Sequence, residues 1–186
     1  AEFVQALARG APGRPAIELV VNGDFVDFLA EKRADGGFSP FVADPGAATA
    51  AFEAIAAREK RVFDALAALV AAGHRLTIVL GNHDVELALP AVRRALARRL
   101  AIPASSALRF VHDGEAYTIG YALIEHGNRY DRFNAVDHDA LRRLRSLQSR
   151  RQEPDAARFR PPAGSYVVAE VMNPLKERYA FIDLLK

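Results

Sequence analysis

The 186-residue chain contains no cysteine. That excludes disulfides, thiolate nucleophiles and cysteine-ligated zinc, and fits a reducing compartment such as the cytoplasm. It also lacks a long apolar run. The longest, ALAALVAAG at 65–73, is far short of the roughly 20 residues that a membrane span needs. The opening stretch AEFVQALARGAPGRP shows no apolar core of a signal peptide. No charge sign dominates: 25 basic residues stand among 23 acidic ones, for a net charge of +2. So mild a balance does not argue for nucleic acid. These absences predict a soluble, cytoplasmic protein. With 51% hydrophobic residues, residues 1–186 can bury one substantial core as a single domain, although much of that fraction is alanine.

What is present alternates between strand and helix signals. FVQALARGAPGRP reads as a helix tail closed by Gly10 and Pro12. AIELVVNGD (16–24) and RLTIVLGNHD (75–84) are apolar runs that stop at glycine, as strands covered on both faces do. Residues 33–48 carry Gly-Gly, Ser-Pro and Pro-Gly breakers and read as a loop, and 49–73 as one long helix ending at Gly73. LPAVRRALARRLA reads as a helix with Pro90 near its start. LRFVHDGEAYTIGYALIEHGN reads as a hairpin turning at Asp113-Gly114. The last third, residues 132–186, reads as a basic helical extension broken by Pro154 and Pro161-Pro162. The alternation predicts an α/β fold: a central mixed sheet with flanking helices.

Three of these strands end in GDFVD, GNHD and EHGN. In open α/β sheets ligands collect outside the carboxyl ends of the strands. Asp24, Asn82 and His126 would then form a mixed oxygen and nitrogen set suited to Mn, Fe, Zn or Mg. Gly23, Gly81 and Gly127 would turn the backbone and leave room for an ion or a phosphate.

GDFVD (23–27), GNHD (81–84) and HGN (126–128) resemble the middle motifs of the calcineurin-like metallophosphoesterases. The EHGNRYDRFN form and the helical tail look closest to the branch that includes UDP-2,3-diacylglucosamine hydrolases. The resemblance covers roughly residues 1–131 and implies a layered fold and a phosphoester hydrolase that uses a water activated by two divalent metals, Mn2+ first among them. Asp24 would bridge the metals, with Asn82 and His126 completing one side. His83 would be the general acid or transition-state donor, and Asp84 would orient it through its ring N–H. Asp27 would steady the loop, and Asn128, Arg129 and Asp131 would contact phosphate or support the ligands. The implied substrate is a small phosphoester or a lipid-linked nucleotide, the latter calling for an apolar channel beside the site.

The opening Asp-x-His and closing Gly-His-x-His of that family are missing from the sequence. Ala1 falls in mid-helix without a starting methionine, so a segment of a longer enzyme is expected, binding metal weakly and catalysing poorly alone. The 58 positions between Asp24 and Asn82 point to an insertion or cap at 33–58. Simpler roles compete: a helix N-cap for Asp24 or Asp27, a polar turn for Asn82, His83 and Asp84, a core histidine for His126 and a solvated cation for Arg129. His74, His112 and His138 read as structural. HDALRRLRSLQSRR reads as a solvated basic face, with contact to an anionic membrane surface as its alternative. A nucleic-acid-processing activity lacks support, because 142–151 carry no aromatic residue for stacking. A non-catalytic interaction module on the same fold is the competing functional reading.

Overall fold

The computed structural model describes residues 1–10, 15–102, 107–152, 159–179 and 181–182. Its centre is a three-stranded sheet, β1 (Glu18–Asn22), β2 (Arg75–Val79) and β3 (Leu108–Val111), in the order β1-β2-β3. Both pairings are parallel, in a register that sets Val21 beside Ile78 beside Phe110, and Asn22 beside Val79 beside Val111. The side-chain period of two then divides the sheet. Leu19, Val21, Leu76, Ile78, Leu108 and Phe110 join the hydrophobic core, while Val20, Thr77 and Arg109 lie on the opposite face. The register also sends Asp24, Asn82 and His112 out at one edge.

Helices α2 (Pro45–Arg58), α3 (Lys60–Ala71), α4 (Pro90–Arg99) and α5 (His138–Ser149) contribute the rest of the core. Phe52 and Leu69 are fully buried, and Phe63 packs edge-on against Phe52 and tilted against Phe25, with centroids 5.7 and 5.4 Å apart. This aromatic file joins both long helices to the loop that follows β1. Helix α1 (Glu2–Arg9) lies against α3 and ends at Gly10, as expected; Pro12 and Pro154 lie outside the described residues. Pro90 opens α4, its missing N–H falling where a helix has no acceptor for one. After α5, helix α6 (Ala163–Tyr166), a π-helical segment (Val167–Met172) and α7 (Asn173–Arg178) follow. Among the described residues no helix is long and apolar enough to cross a membrane.

The chain is thus mixed α/β, with several departures from the sequence reading. The main sheet is purely parallel rather than mixed. The hairpin is β4 (Tyr117–Ile119) with β5 (Ala122–Ile124), turning at Gly120-Tyr121 and not at Asp113-Gly114. Because β3 pairs with β2, the turn after it leads out of the sheet. The run 49–73 is two helices separated at Glu59, which lets α2 pack on α4 while α3 packs on α1 and β2. Residues 45–58 are therefore core helix rather than cap. Within the basic 132–186 extension, α5 joins the core, since Ala140, Leu141 and Leu144 are buried. Its apolar side is used inside the protein, leaving mainly arginines outward. β1 is only half-buried, because as an outer strand it alternates between core and opposite face.

Phe52→Ala should cost about 3–5 kcal/mol of stability through the cavity it leaves, measured by urea denaturation. A loss below about 1 kcal/mol would contradict a well-packed aromatic file.

Candidate functional site

Two tight turns bring the strand ends together. Gly23 takes φ 79, and a Cβ there would lie 2.2 Å from the His126 Nδ1. After β2, a Cβ on Gly81 would lie 2.2 Å from the Asp24 Oδ1. The space these glycines keep open is filled by the His126 and Asp24 side chains, rather than by an ion or phosphate as their sequence context suggests. Asp24 sits in the left-handed region at φ 50, uncommon for a residue with a Cβ. Its Oδ1 accepts the His83 N–H at 3.0 Å, leaving Oδ2 on the His126 side.

His126 reaches the same point from β5. Its neighbour's carbonyl, Glu125 O, accepts from the Asn22 amide at 2.8 Å, and its own Nδ1 lies 2.8 Å from the Asn22 carbonyl. A carbonyl can only accept, so Nδ1 carries the proton and Nε2 keeps a lone pair when the ring is neutral. That Nε2 lies 3.2 Å from Asn82 Oδ1 and 3.4 Å from Asp24 Oδ2. Asn82 is held the right way round by donating Nδ2 to Asn134 Oδ1 at 3.4 Å. Three donor atoms from three strand ends thus converge. A cation with bonds of about 2.1 Å sets ligand–ligand edges of about 3.0–3.4 Å, the range of the two spacings measured from His126 Nε2. Among the described residues no group of three or more His, Cys, Asp or Glu could hold a metal ion. This set has two such residues and an amide.

Beside it, His83 points its ring Nδ1 at Asp27 Oδ1, 3.3 Å away. That bond, reinforced by the charges of Asp24, Asp27 and Asp84, raises the His83 pKa against the opposing effect of burial. Burial alone would raise the Asp27 carboxyl, but the His83 ring and the N–H groups of Ala30 and Leu29 hold it below its ordinary value. Asp27, which also caps the turn Phe28–Ala30, is thus the partner that orients His83.

Asp84 does something else. Its side chain is fully buried, and its oxygens accept the N–H groups of Phe25 and Gly81, both at 2.7 Å. It ties the β1 loop to the β2 loop instead of supporting the His83 ring. Burial pushes its carboxyl up to about 6, with Asp24 adding repulsion and the backbone N–H groups opposing. Two residues on, Glu86 is also buried and accepts the Val42 N–H at 2.8 Å. Burial pushes Glu86 up to about 8, helped by Asp84 and Asp27.

The loop after His126 holds the remaining expected residues without bringing them to the ligand cluster. Asn128 donates to the Asn134 carbonyl at 3.1 Å, and Asp131 accepts the Asn134 Nδ2 at 2.7 Å. Arg129 pairs with Glu125 at 3.1 Å and donates to the Gly114 carbonyl. Asn134, which the motifs did not single out, links this loop to Asn82. Residues 33–54 contribute to a different feature. An open groove of about 530 Å³ runs beyond Phe28, floored by Val42, Ala47, Ala50, Ala51 and Ala54 and rimmed by Glu31, Lys32, Arg33 and Asp35.

No family model, curated protein or solved structure matches the chain. What the site does is inferred from its own chemistry.

Asp27→Asn should lower the His83 pKa by removing the strongest influence that raises it. NMR titration of the His83 ring checks this, and an unchanged midpoint would contradict the pairing. Glu86 binds its proton more tightly folded than unfolded, so it lowers stability as pH climbs from about 4.5 to about 8. Glu86→Gln keeps an acceptor for Val42. In denaturant titrations it should match the parent protein near pH 4.5 and exceed its stability at pH 8.

Proposed function

We propose that the strand-end cluster binds a divalent cation and serves the hydrolysis of phosphoesters. The observation that carries this is the convergence of Asp24 Oδ2, Asn82 Oδ1 and His126 Nε2 within 3.2–3.4 Å along His126 Nε2, with the ring's tautomer set by Asn22. The set fits one hard or borderline cation, Mn2+ foremost and Fe, Zn or Mg next. For a second cation the described residues supply Asp24 alone. When bound, such a cation polarises a phosphoryl oxygen and lowers the pKa of water.

The chain's own residues supply the rest. Asn82 ligates without adding negative charge that would repel a phosphoester. Protonated His83, positioned by Asp27 and tied through its backbone N–H to Asp24, stands beside the cluster and donates a proton. Water gives up one proton to solvent as it adds to phosphorus, the P–O ester bond breaks, and the departing oxygen takes a proton from His83. The motif resemblance to calcineurin-like metallophosphoesterases agrees with this reading. The open apolar groove beyond Phe28 favours a substrate with an apolar arm, such as a lipid-linked nucleotide, over a small polar ester.

With Mn2+, the protein should hydrolyse bis-p-nitrophenyl phosphate or p-nitrophenyl phosphate and lose this in EDTA. Asn82→Ala and His126→Ala should each lower kcat/KM at least about 100-fold, the scale of a lost ligand or its support. Ala50→Leu should raise KM for an acylated substrate and leave the p-nitrophenyl esters unchanged. No Mn2+-dependent activity, together with no effect of Asn82→Ala, would favour the non-catalytic interaction module.

A further inference from the structure

Beyond the cation cluster, the third strand of the sheet also ends in a histidine. His112 follows β3 directly, at the edge where Asp24 and Asn82 emerge, a placement that its sequence context did not suggest. Arg93 of α4 approaches its Nε2 to 3.0 Å, and Arg145 of α5 contacts the same atom. His112 Nδ1 faces the Phe110 carbonyl at 3.4 Å, so Nε2 offers a single lone pair to two guanidinium groups. The Nε atoms of both arginines are buried with no hydrogen-bond partner.

The electrostatics are equally unbalanced. Among the described residues no carboxylate lies within ion-pair distance of Arg93 or Arg145. Burial lowers the Arg93 pKa, and the charges of Arg145 and Arg94 lower it further. Burial lowers Arg145 as well, with Asp113 opposing from beyond contact distance. His112 is pushed down to about 4 by burial and by both arginines, so it remains neutral and adds no charge of its own. Elsewhere in the chain arginines find acids: Arg58 with Glu31, Arg99 with Asp64, Arg129 with Glu125. Two half-buried guanidinium groups beside one neutral acceptor have donors and positive charge to spare.

We infer that Arg93 and Arg145, gathered by the His112 ring that accepts from both, form an oxyanion site that takes a phosphate group between α4 and α5 at the end of β3. Two planar donor forks from different helices suit a tetrahedral anion, whose oxygens can accept from both at once. The anion would supply the negative charge and the acceptors that the protein leaves out. The phosphate could arrive free or as the end of a larger phosphomonoester. The site needs neither the cation cluster nor hydrolysis.

The test is isothermal titration of the full chain in EDTA with inorganic phosphate and, separately, glycerol 3-phosphate, against chloride at equal ionic strength. One phosphate should bind per chain, shifting the His112 ring signals in NMR while His74 stays in place. Arg93→Gln and Arg145→Gln should each weaken binding at least tenfold, whereas Asn82→Ala should leave it unchanged. Equal affinity for both ligands assigns a free anion, and tighter binding of the ester assigns a phosphomonoester. Absence of saturable binding to the unaltered chain overturns the inference, as does binding that Asn82→Ala abolishes and the arginine variants spare. The His112 shift on the unaltered chain decides the matter even if an arginine variant fails to fold.

Discussion

The candidate site depends on one buried carboxylate. Asp84 accepts a backbone N–H from the loop after β1 and another from the loop after β2, so one side chain fixes how the two strand ends face each other. Asp24, Asn82 and His83 all sit within three residues of those bonds. Burying an acid without a cation beside it is costly, and the raised Asp84 pKa reflects that cost. Two short backbone bonds offset part of it. The two glycines complete the arrangement, since any side chain at Gly23 or Gly81 would collide with His126 or Asp24.

Around that tie, polar groups are layered by role. His126 is fixed by the Asn22 carbonyl, Asn82 by Asn134, and His83 by Asp27. Each of these side chains has one end committed to the protein. For a metal-binding role, such commitment would hold each group ready without requiring it to reorganise. Phe25 links the same loop to the aromatic core, so the geometry of the strand-end cluster and the stability of the fold share supports.

The sequence made the strand ends legible, because an apolar run that halts at glycine and then asparagine, histidine or aspartate has few other uses. Asp24, Asn82 and His126 could be named on that basis, and the structure does bring them together. Which acid serves His83 was not legible. Asp84 is its chain neighbour, but the strand's exit directs Asp84 inward, and Asp27 from the other loop reaches the ring. The turn at Asp113-Gly114 misled for a related reason: a strong local turn signal says nothing about which strand β3 pairs with. That same error hid His112, whose place at a strand end follows from pairing with β2. Asn134 closes the EHGNRYDRFN stretch, but nothing in that stretch singled it out, since its role arises only where a loop folds back on Asn82. The break at Glu59 likewise reflects different packing partners for α2 and α3 rather than any local breaker.

The account stands or falls on whether Asp24, Asn82 and His126 hold a divalent cation. Sub-stoichiometric Mn2+ added to the protein, followed by NMR of the histidine rings, reads this directly through paramagnetic broadening. His126 should broaden first and recover in EDTA. His74, whose ring accepts the Ile17 N–H at the far end of β2, should stay sharp. A His126 signal that survives saturating Mn2+, or broadening spread evenly over all histidines, would contradict the central claim.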